Sequence, residues 1–423
     1  MQRALGRAFP AAEDIQYLDS LVALAFGEHV NLAKLPAVSA AFSSALAKEM
    51  HPERAVAEGN CRIAGLEYDF LGERSDIEDW TVGQILSVLR LRRTMPTKQA
   101  AVIGTMRDDG IYAIEWIAHY QSLGFDPLVI YSNDNADFSE RLLRRLADRA
   151  EIIFVESRTS GRVRPEVKAF EHAYHFVPEV RACEWALYVD SDEFFVPAPR
   201  YNDRIENVIE DLKRQREPVT PSAVLYQWLW FVSGMVFERK PGLLMERFRY
   251  ASPNSLTKPF VRLRDLMSMR LQHVPEMFPG AVIVDASYEP VDMEQVWTPR
   301  EPTYARGRIN HYWPKSFQEF SLKKARGDSL PLEDDEYRRD FSLFFEWNAP
   351  ETREIFHPPD EAFLAKVKAR CESLRAIDGV REAEAQVERR FSELLNRYHA
   401  DGGLARIYQA LRRTTSYGLT PTA

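Results

Sequence analysis

A chain of 423 residues is long enough for about two to three domains and for a large core without covalent staples. With 45% hydrophobic and 28% charged residues, its composition excludes a disordered or collagen-like chain. The 63 acidic against 55 basic residues leave a net charge of −8, which argues against broad nucleic-acid binding but allows a local basic pocket.

In chain order, residues 1–95 read as a mainly helical extension. Leu18, Leu21, Val22 and Ala25 recur at helical spacing, as do Val38, Ala41, Phe42 and Leu46. Leu66, Tyr68 and Phe70 alternate and predict one strand. The pattern then changes. Apolar runs at 100–105, 127–131, 152–155 and 185–189 alternate with helical stretches at 111–123, 139–147 and 167–176. Such alternation predicts βαβ units and a mostly parallel sheet, whose ligands bind beyond the carboxyl ends of the strands. The uncharged stretch from Pro218 to Phe237 carries too many polar residues for a membrane span and predicts two buried strands around Ser233-Gly234. Pro350 to Pro359 marks a boundary. Beyond it, Val387, Phe391, Leu394 and Tyr398 mark one amphipathic helix, and Leu404, Ile407, Tyr408 and Leu411 another. The predicted organisation is an extension over 1–95, an α/β domain over 96–358 and a helical tail over 359–423. Both extensions carry no carboxylate cluster or phosphate loop, and are read as surfaces for packing, oligomerisation or partner contact. Cys61, Cys183 and Cys371 lie far apart with no CxxC pair, which fits a reducing compartment and no thiolate zinc site. No apolar signal region follows Met1. The expectation is a protein free in the cytoplasm or peripheral at the inner membrane face, with no transmembrane segment and no nucleic-acid partner.

The sharpest chemical feature is Val189-Asp190-Ser191-Asp192-Glu193-Phe194, where an apolar strand ends in three carboxylates. In an extended chain Asp190 and Asp192 project to one side. Two converging carboxylates repel unless a cation lies between them, and Mg²⁺ or Mn²⁺ would accept phosphate oxygens as further ligands. Thr105 to Asp109 and Ser132 to Asp137 follow the first two strands, so Thr105, Arg107, Asp108, Asn133 and Asp134 are candidate ligands there. Asp108 and Asp134 read equally well as turn residues, and Asp137 as a cap for the helix at Ser139. His172 and His175 lack a third ligand and read as a helix face. Lys323, Lys324 and Arg326 read as a solvated basic patch or as phosphate ligands.

Four blocks carry a resemblance: Thr105-Met106-Arg107-Asp108-Asp109, Glu115 to Tyr120, Tyr131-Ser132-Asn133-Asp134, and Val189 to Phe194. With Ile309-Asn310-His311-Tyr312, Ser316-Phe317 and Lys324 to Gly327, they resemble bacterial glycosyltransferases of the family-2-like branch, which also resembles family 92. The resemblance covers about residues 98–328 and not the two extensions. It implies a GT-A-type nucleotide-diphospho-sugar transferase fold using Mn²⁺ or Mg²⁺. The donor would be a nucleotide diphosphate sugar held by Thr105, Arg107, Asp108, Asn133, Asp134 and Asp190, and the acceptor a glycan or a lipid-linked molecule. It also implies that His311 joins Asp190 and Asp192 as a metal ligand or donates a hydrogen bond to the diphosphate, and it favours inversion. Inversion needs a general base. Glu238, Glu246 and Glu276 are candidates, with Glu238 and Glu276 nearer loop-forming Pro or Gly. Phe138 departs from the glycine often found there in the broader family.

Three rival functions are weaker. A haloacid-dehalogenase-type phosphatase also uses Asp-x-Asp after a strand, but wants Thr or Val at the position of Phe194 and has the motif open its domain. A dehydrogenase would need the GxGxxG glycines that 105–110 lack. A non-catalytic carbohydrate-binding or scaffold protein would not need Asp190 and Asp192.

Overall fold

The computed structural model describes residues 60–66, 88, 91, 95–159, 163–214, 220–292, 301–326, 342–348 and 355–400. The apolar runs become strands because each is short, rich in β-branched and aromatic residues and stopped by polar turns. In chain order they are β1 (Cys61–Ala64), β2 (Lys98–Met106), β3 (Leu128–Ser132), β4 (Ile153–Ser157), β5 (Cys183–Asp190) and β6 (Glu193–Pro197). Then follow β7 (Ala223–Val232), β8 (Tyr250–Arg262), β9 (Leu266–Leu271), β10 (Val274–Met277), β11 (Ile283–Asp285), β12 (Gly307–His311) and β13 (Ile355–Phe356). The helices are α1 (Gly110–Leu123), α2 (Ser139–Ala147), α3 (Pro165–Phe176), α4 (Pro178–Arg181), α5 (Ile205–Arg214) and α6 (Leu244–Arg247). The last four are α7 (Phe317–Arg326), α8 (Ser342–Trp347), α9 (Glu361–Arg375) and α10 (Val380–Ala400).

The chain forms a mixed α/β fold around one eleven-stranded sheet. Its main path runs β1-β4-β3-β2-β5-β8-β7-β12-β6. The first five of these strands are mutually parallel, as the βαβ alternation requires. Beyond β5 the antiparallel β8 enters, then β7, then β12 parallel to β7 and antiparallel to β6. Residues of β2 alternate between two apolar layers. Ala100, Val102 and Met106 meet α1, α2, α9 and α10 on one face, while Ala101 and Ile103 meet α3 and β9 on the other.

Two features differ from the sequence-based expectation. Among the described residues of the stretch 218–237, β7 is the one strand; Ser233 and Gly234 follow it as a turn, because Ser233 donates to Asn348 Oδ1 through both its N–H (2.6 Å) and its hydroxyl (2.8 Å). Leu66, where a strand was expected to begin, is exposed and outside a strand, and β1 lies just before it at Cys61–Ala64. Tyr68 and Phe70, the helices expected around 18–25 and 38–46, and the one at 404–411 lie outside the described residues. The boundary expected at 95/96 falls between β1 and β2 of the same sheet. In the tail, the buried Val380 and Val387 of α10 and Leu374 of α9 belong to the same core layer as α1 and α2.

Candidate functional site

Strand register brings the candidate residues together. Thr105 of β2 stands level with Tyr131 of β3 and with Asp190 of β5, so the loops after all three strands open at one edge. Between them lies a cavity of about 340 Å³, lined among others by Arg107, Asp108, Asp134, Trp313, Lys315 and Lys323. Of the six expected donor residues, Arg107, Asp108 and Asp134 line this cavity, and Thr105, Asn133 and Asp190 do not.

Several of these residues spend their side chains on loop construction. Asp108, at φ 51°, accepts from the N–H groups of Ala136 (2.5 Å) and Asp137 (3.1 Å). Its own N–H donates to Asn135 Oδ1 (2.9 Å). It thus ties the loop after β2 to the loop after β3. Asp137 accepts from Ser139 N–H at the start of α2 and from Gly110 N–H at the start of α1, both at 2.9 Å. Asn133 donates to Asp134 Oδ2 (3.0 Å). Gly110 is required here: a Cβ on it would stand 2.7 Å from Ser139 Cβ and 2.9 Å from Val387 Cγ1.

Asp190 and Asp192 do not lie on one extended strand, contrary to the expectation that they project from it to one side. β5 ends at Asp190, a turn holds Ser191 and Asp192, and Glu193 opens β6, which leaves to pair with β12. The turn is pinned on both sides. Ser191 Oγ donates to Asp109 Oδ2 (2.7 Å), and Tyr312 N–H donates to Asp192 O (2.9 Å). Trp116 Nε1 donates to Asp190 O (3.1 Å), its ring packing where Gly104 has no Cβ. Asp190 keeps a side chain 32% exposed, while that of Asp192 is 4% exposed. Asp192 is thus buried among its partners and not solvated.

Each carboxylate already has cationic neighbours. Lys258, buried in β8, lies 2.8 Å from Asp190 Oδ2 and 3.2 Å from Glu193 Oε2. Lys315 Nζ (3.0 Å) and Lys323 Nζ (2.6 Å) both donate to Asp192 Oδ2. His311 Nε2 lies 3.5 Å from Asp192 Oδ1. Burial alone would raise the pKa of Asp192, but the two lysines and His311 hold it well below the usual carboxylate range. Asp190 is also burdened by burial, and Lys258 turns its net shift downward. For Glu193 burial wins over Lys258, and its pKa rises to about 8. Burial lowers the pKa of His311 against the pull of Asp192, so the ring is neutral at pH 7.

The long separation between His311 and Asp192 is closed by the sheet. His311 ends β12 and pairs with Glu193, the residue after Asp192, and on its other side with Trp230 of β7. Trp228 and Trp230 flank the ring at centroid distances of 4.2 and 5.1 Å. Its Nδ1 is buried without a hydrogen-bond partner among the described residues. The expected set Asp190–Asp192–His311 does not close as it stands, since among the described residues no three His, Cys, Asp or Glu side chains converge on a metal position. Asp192 and His311 do face one another, while Asp190 is held by Lys258.

Other candidates fall elsewhere. Glu238 is exposed and Glu276 lies on β10, and neither lines the cavity. Glu246 is bound to Lys368 and to Leu243 N–H near α6. His172 bonds Tyr131 OH (2.8 Å) and His175 lies 3.3 Å from Glu171, both in the core. Lys323 faces the carboxylates and is no solvated patch. Lys258 and Lys315 escaped the sequence reading. A lysine inside the strand sequence Thr257-Lys258-Pro259-Phe260-Val261 was the available signal, because a buried ammonium must find a carboxylate. The tail also reaches the cavity, through Phe391, Leu394, Arg397 and Tyr398 of α10.

No protein-family model matches the chain. A glycosyltransferase family 92 protein of Ricinus communis is 30% identical over 92 residues, which is 21% of this chain and 16% of that protein. The chain therefore spans about a sixth of that relative's length. Among solved structures, S. aureus TarS 1–349 matches with a TM-score of 0.28 at 13% identity, over 72% of this chain and 92% of that one. A mannosyltransferase of Pyrobaculum calidifontis, solved with GDP-Man and Mn²⁺, matches with a TM-score of 0.25 at 12% identity, over 89% and 94%. Among the described residues, no helix is long and apolar enough to cross a membrane.

Proposed function

We propose that the chain is a glycosyltransferase of GT-A type that takes a nucleotide diphosphate sugar in the cavity at the carboxyl edge of β2, β3 and β5. The observation that carries the reading is the turn Asp190-Ser191-Asp192, whose Asp192 lies beside His311 and is bound by Lys315 and Lys323, two lysines that line that cavity. The 92-residue likeness to a family 92 protein supports it. Transfer leaves a diphosphate whose negative charge grows as the bond to the sugar breaks, and preorganised positive groups there lower the barrier. Arg107, Lys315 and Lys323 line that space. Thr105 Oγ1, 3.3 Å from Asp190 Oδ1, and Trp116 orient Asp190 toward the donor.

Mn²⁺ or Mg²⁺ belongs to this proposal through Asp192 Oδ1 and the neutral imidazole of His311, a pair suited to an ion that draws further ligands from phosphate and water. Bound there, the ion would neutralise diphosphate charge. The acceptor is proposed to be a glycan or a lipid-linked molecule, and the transfer to invert. The positions of Glu238 and Glu276 give no support to either as the base.

The test is a panel of nucleotide sugars with Mn²⁺, read as released nucleoside diphosphate, and calorimetric binding of UDP and GDP with and without the ion. Asp192→Asn should lose turnover while keeping the fold. His311→Ala should weaken metal-dependent binding, more for Mn²⁺ than for Mg²⁺. Phosphatase and scaffold readings predict no metal-dependent UDP or GDP binding, and full turnover by Asp192→Asn would sink the proposal.

A further inference from the structure

We infer that Lys315 and Lys323 form a diphosphate clamp for which Asp192 is the resident counter-anion, exchanged for phosphate oxygens when a donor enters. The inference rests on the donor reading above and deepens it by assigning the anion-binding residues. Both ammonium groups donate to one oxygen, Asp192 Oδ2. An ammonium carries three donors. Among the described residues Lys315 otherwise meets only the face of Tyr112 (4.6 Å), and Lys323 only that of Trp313 (5.0 Å). Asp109 adds negative charge near Lys315. Among the described residues each ammonium thus has a hydrogen bond to Asp192 Oδ2 and donors left for a further anion, although the Lys315 side chain is only 3% exposed.

A buried ammonium with unmet donors is costly unless oxygens arrive to take them. The cavity supplies the place, since Lys315 and Lys323 both line it. The two lysines come from one short segment: Lys315 precedes α7 and Lys323 lies within it. Glu319, on the same helix, is bound by Arg247 and by Tyr112 OH and so does not compete for them. The charge complementary to a diphosphate is thus present before any divalent ion is added. Part of the anion affinity of the site is then independent of metal, and Asp192 works against it.

The test is calorimetry of the full chain with inorganic pyrophosphate in EDTA. The wild type should bind, and Lys323→Met should bind about 10- to 100-fold more weakly, the scale of one or two lost charge-assisted hydrogen bonds. Lys315→Met should do the same; if it fails to fold by circular dichroism, the partly exposed Lys323 carries the test. Asp192→Asn should bind pyrophosphate in EDTA about 10-fold more tightly, since it removes the competing anion. In Mn²⁺ its UDP or GDP affinity should fall, so the sign reverses between conditions. Unchanged affinity in folded Lys323→Met, no gain in Asp192→Asn, or no wild-type binding in EDTA would overturn the clamp. If UDP and GDP fail to bind while pyrophosphate binds through the lysines, the clamp stands and the glycosyltransferase reading falls.

Discussion

Glu115 shows what a single buried carboxyl does for the scaffold. Its oxygens accept from the N–H groups of Leu244 (2.8 Å) and Met245 (3.4 Å), which holds the start of α6 against α1. Burial raises its pKa to about 7, against the opposing pull of those N–H groups and of Arg247. The folded chain therefore keeps a proton that the unfolded chain releases near its ordinary value of 4.5. The sign follows: stability is fully present below that value and is lost as pH rises toward about 7. Glu193, raised to about 8, acts in the same direction. The melting temperature should fall from pH 5 to pH 8 in the wild type and less steeply in Glu115→Gln. Melting curves at four pH values check this, and a constant offset between the two proteins would refute it. The sequence shows Glu115 only as a charged residue inside the apolar helical stretch 111–123. It did not announce the partner, because backbone N–H groups 129 and 130 residues away leave no mark in composition or spacing.

Elements were legible wherever local periodicity decides them. α2 spans Ser139–Ala147 as expected, and β2, β3, β4 and β5 match their apolar runs within a few residues. What the sequence hid was pairing beyond the βαβ half, where β8, β7, β12 and β6 meet out of chain order. The juxtaposition of His311 with Asp192 was expected through resemblance, and its physical cause is the β12–β6 ladder. Lys315 was hidden for the opposite reason: it lies between elements, at φ 48°, in a segment with no periodicity. The packing of elements makes its own demand at Gly110, where α1, α2 and α10 meet. Gly110→Ala would press a methyl group against Ser139 and Val387, neither of which has a flexible end to move. We expect a loss of about 1–3 kcal/mol in denaturant unfolding, the usual cost of overpacking. Weaker nucleotide binding should accompany it, because Asp137 links the same junction to the loops around Asp108. Wild-type stability in Gly110→Ala would show that α10 yields to the added methyl.

At the scale of the whole molecule, the tail is part of the site wall. α10 lies on α2 and α1, and its Glu388 receives both terminal nitrogens of Arg239 at 2.5 and 2.7 Å. Arg390 donates to Ala136 O (2.9 Å), in the loop that Asp108 anchors. The helix thereby joins the loop after β3, the segment after β7 and the cavity. Sequence periodicity predicted the helix but not its place, since an amphipathic stripe names no partner. Residues 359–423 carry no clustered carboxylates, so they were expected to serve packing, oligomerisation or partner contact, yet Arg397 and Tyr398 face the same space as Lys323. A chain ended after residue 378 should therefore lose UDP or GDP affinity beyond what reduced stability explains. The comparison that isolates the effect is Arg397→Ala, which leaves Val380, Val387 and the Arg239–Glu388 pair in place. Its melting temperature should match the wild type while its nucleotide affinity falls about 3- to 10-fold, the scale of one partly exposed charge–phosphate contact. A shortened, folded and monodisperse chain that binds nucleotide with full affinity would return α10 to a purely structural role.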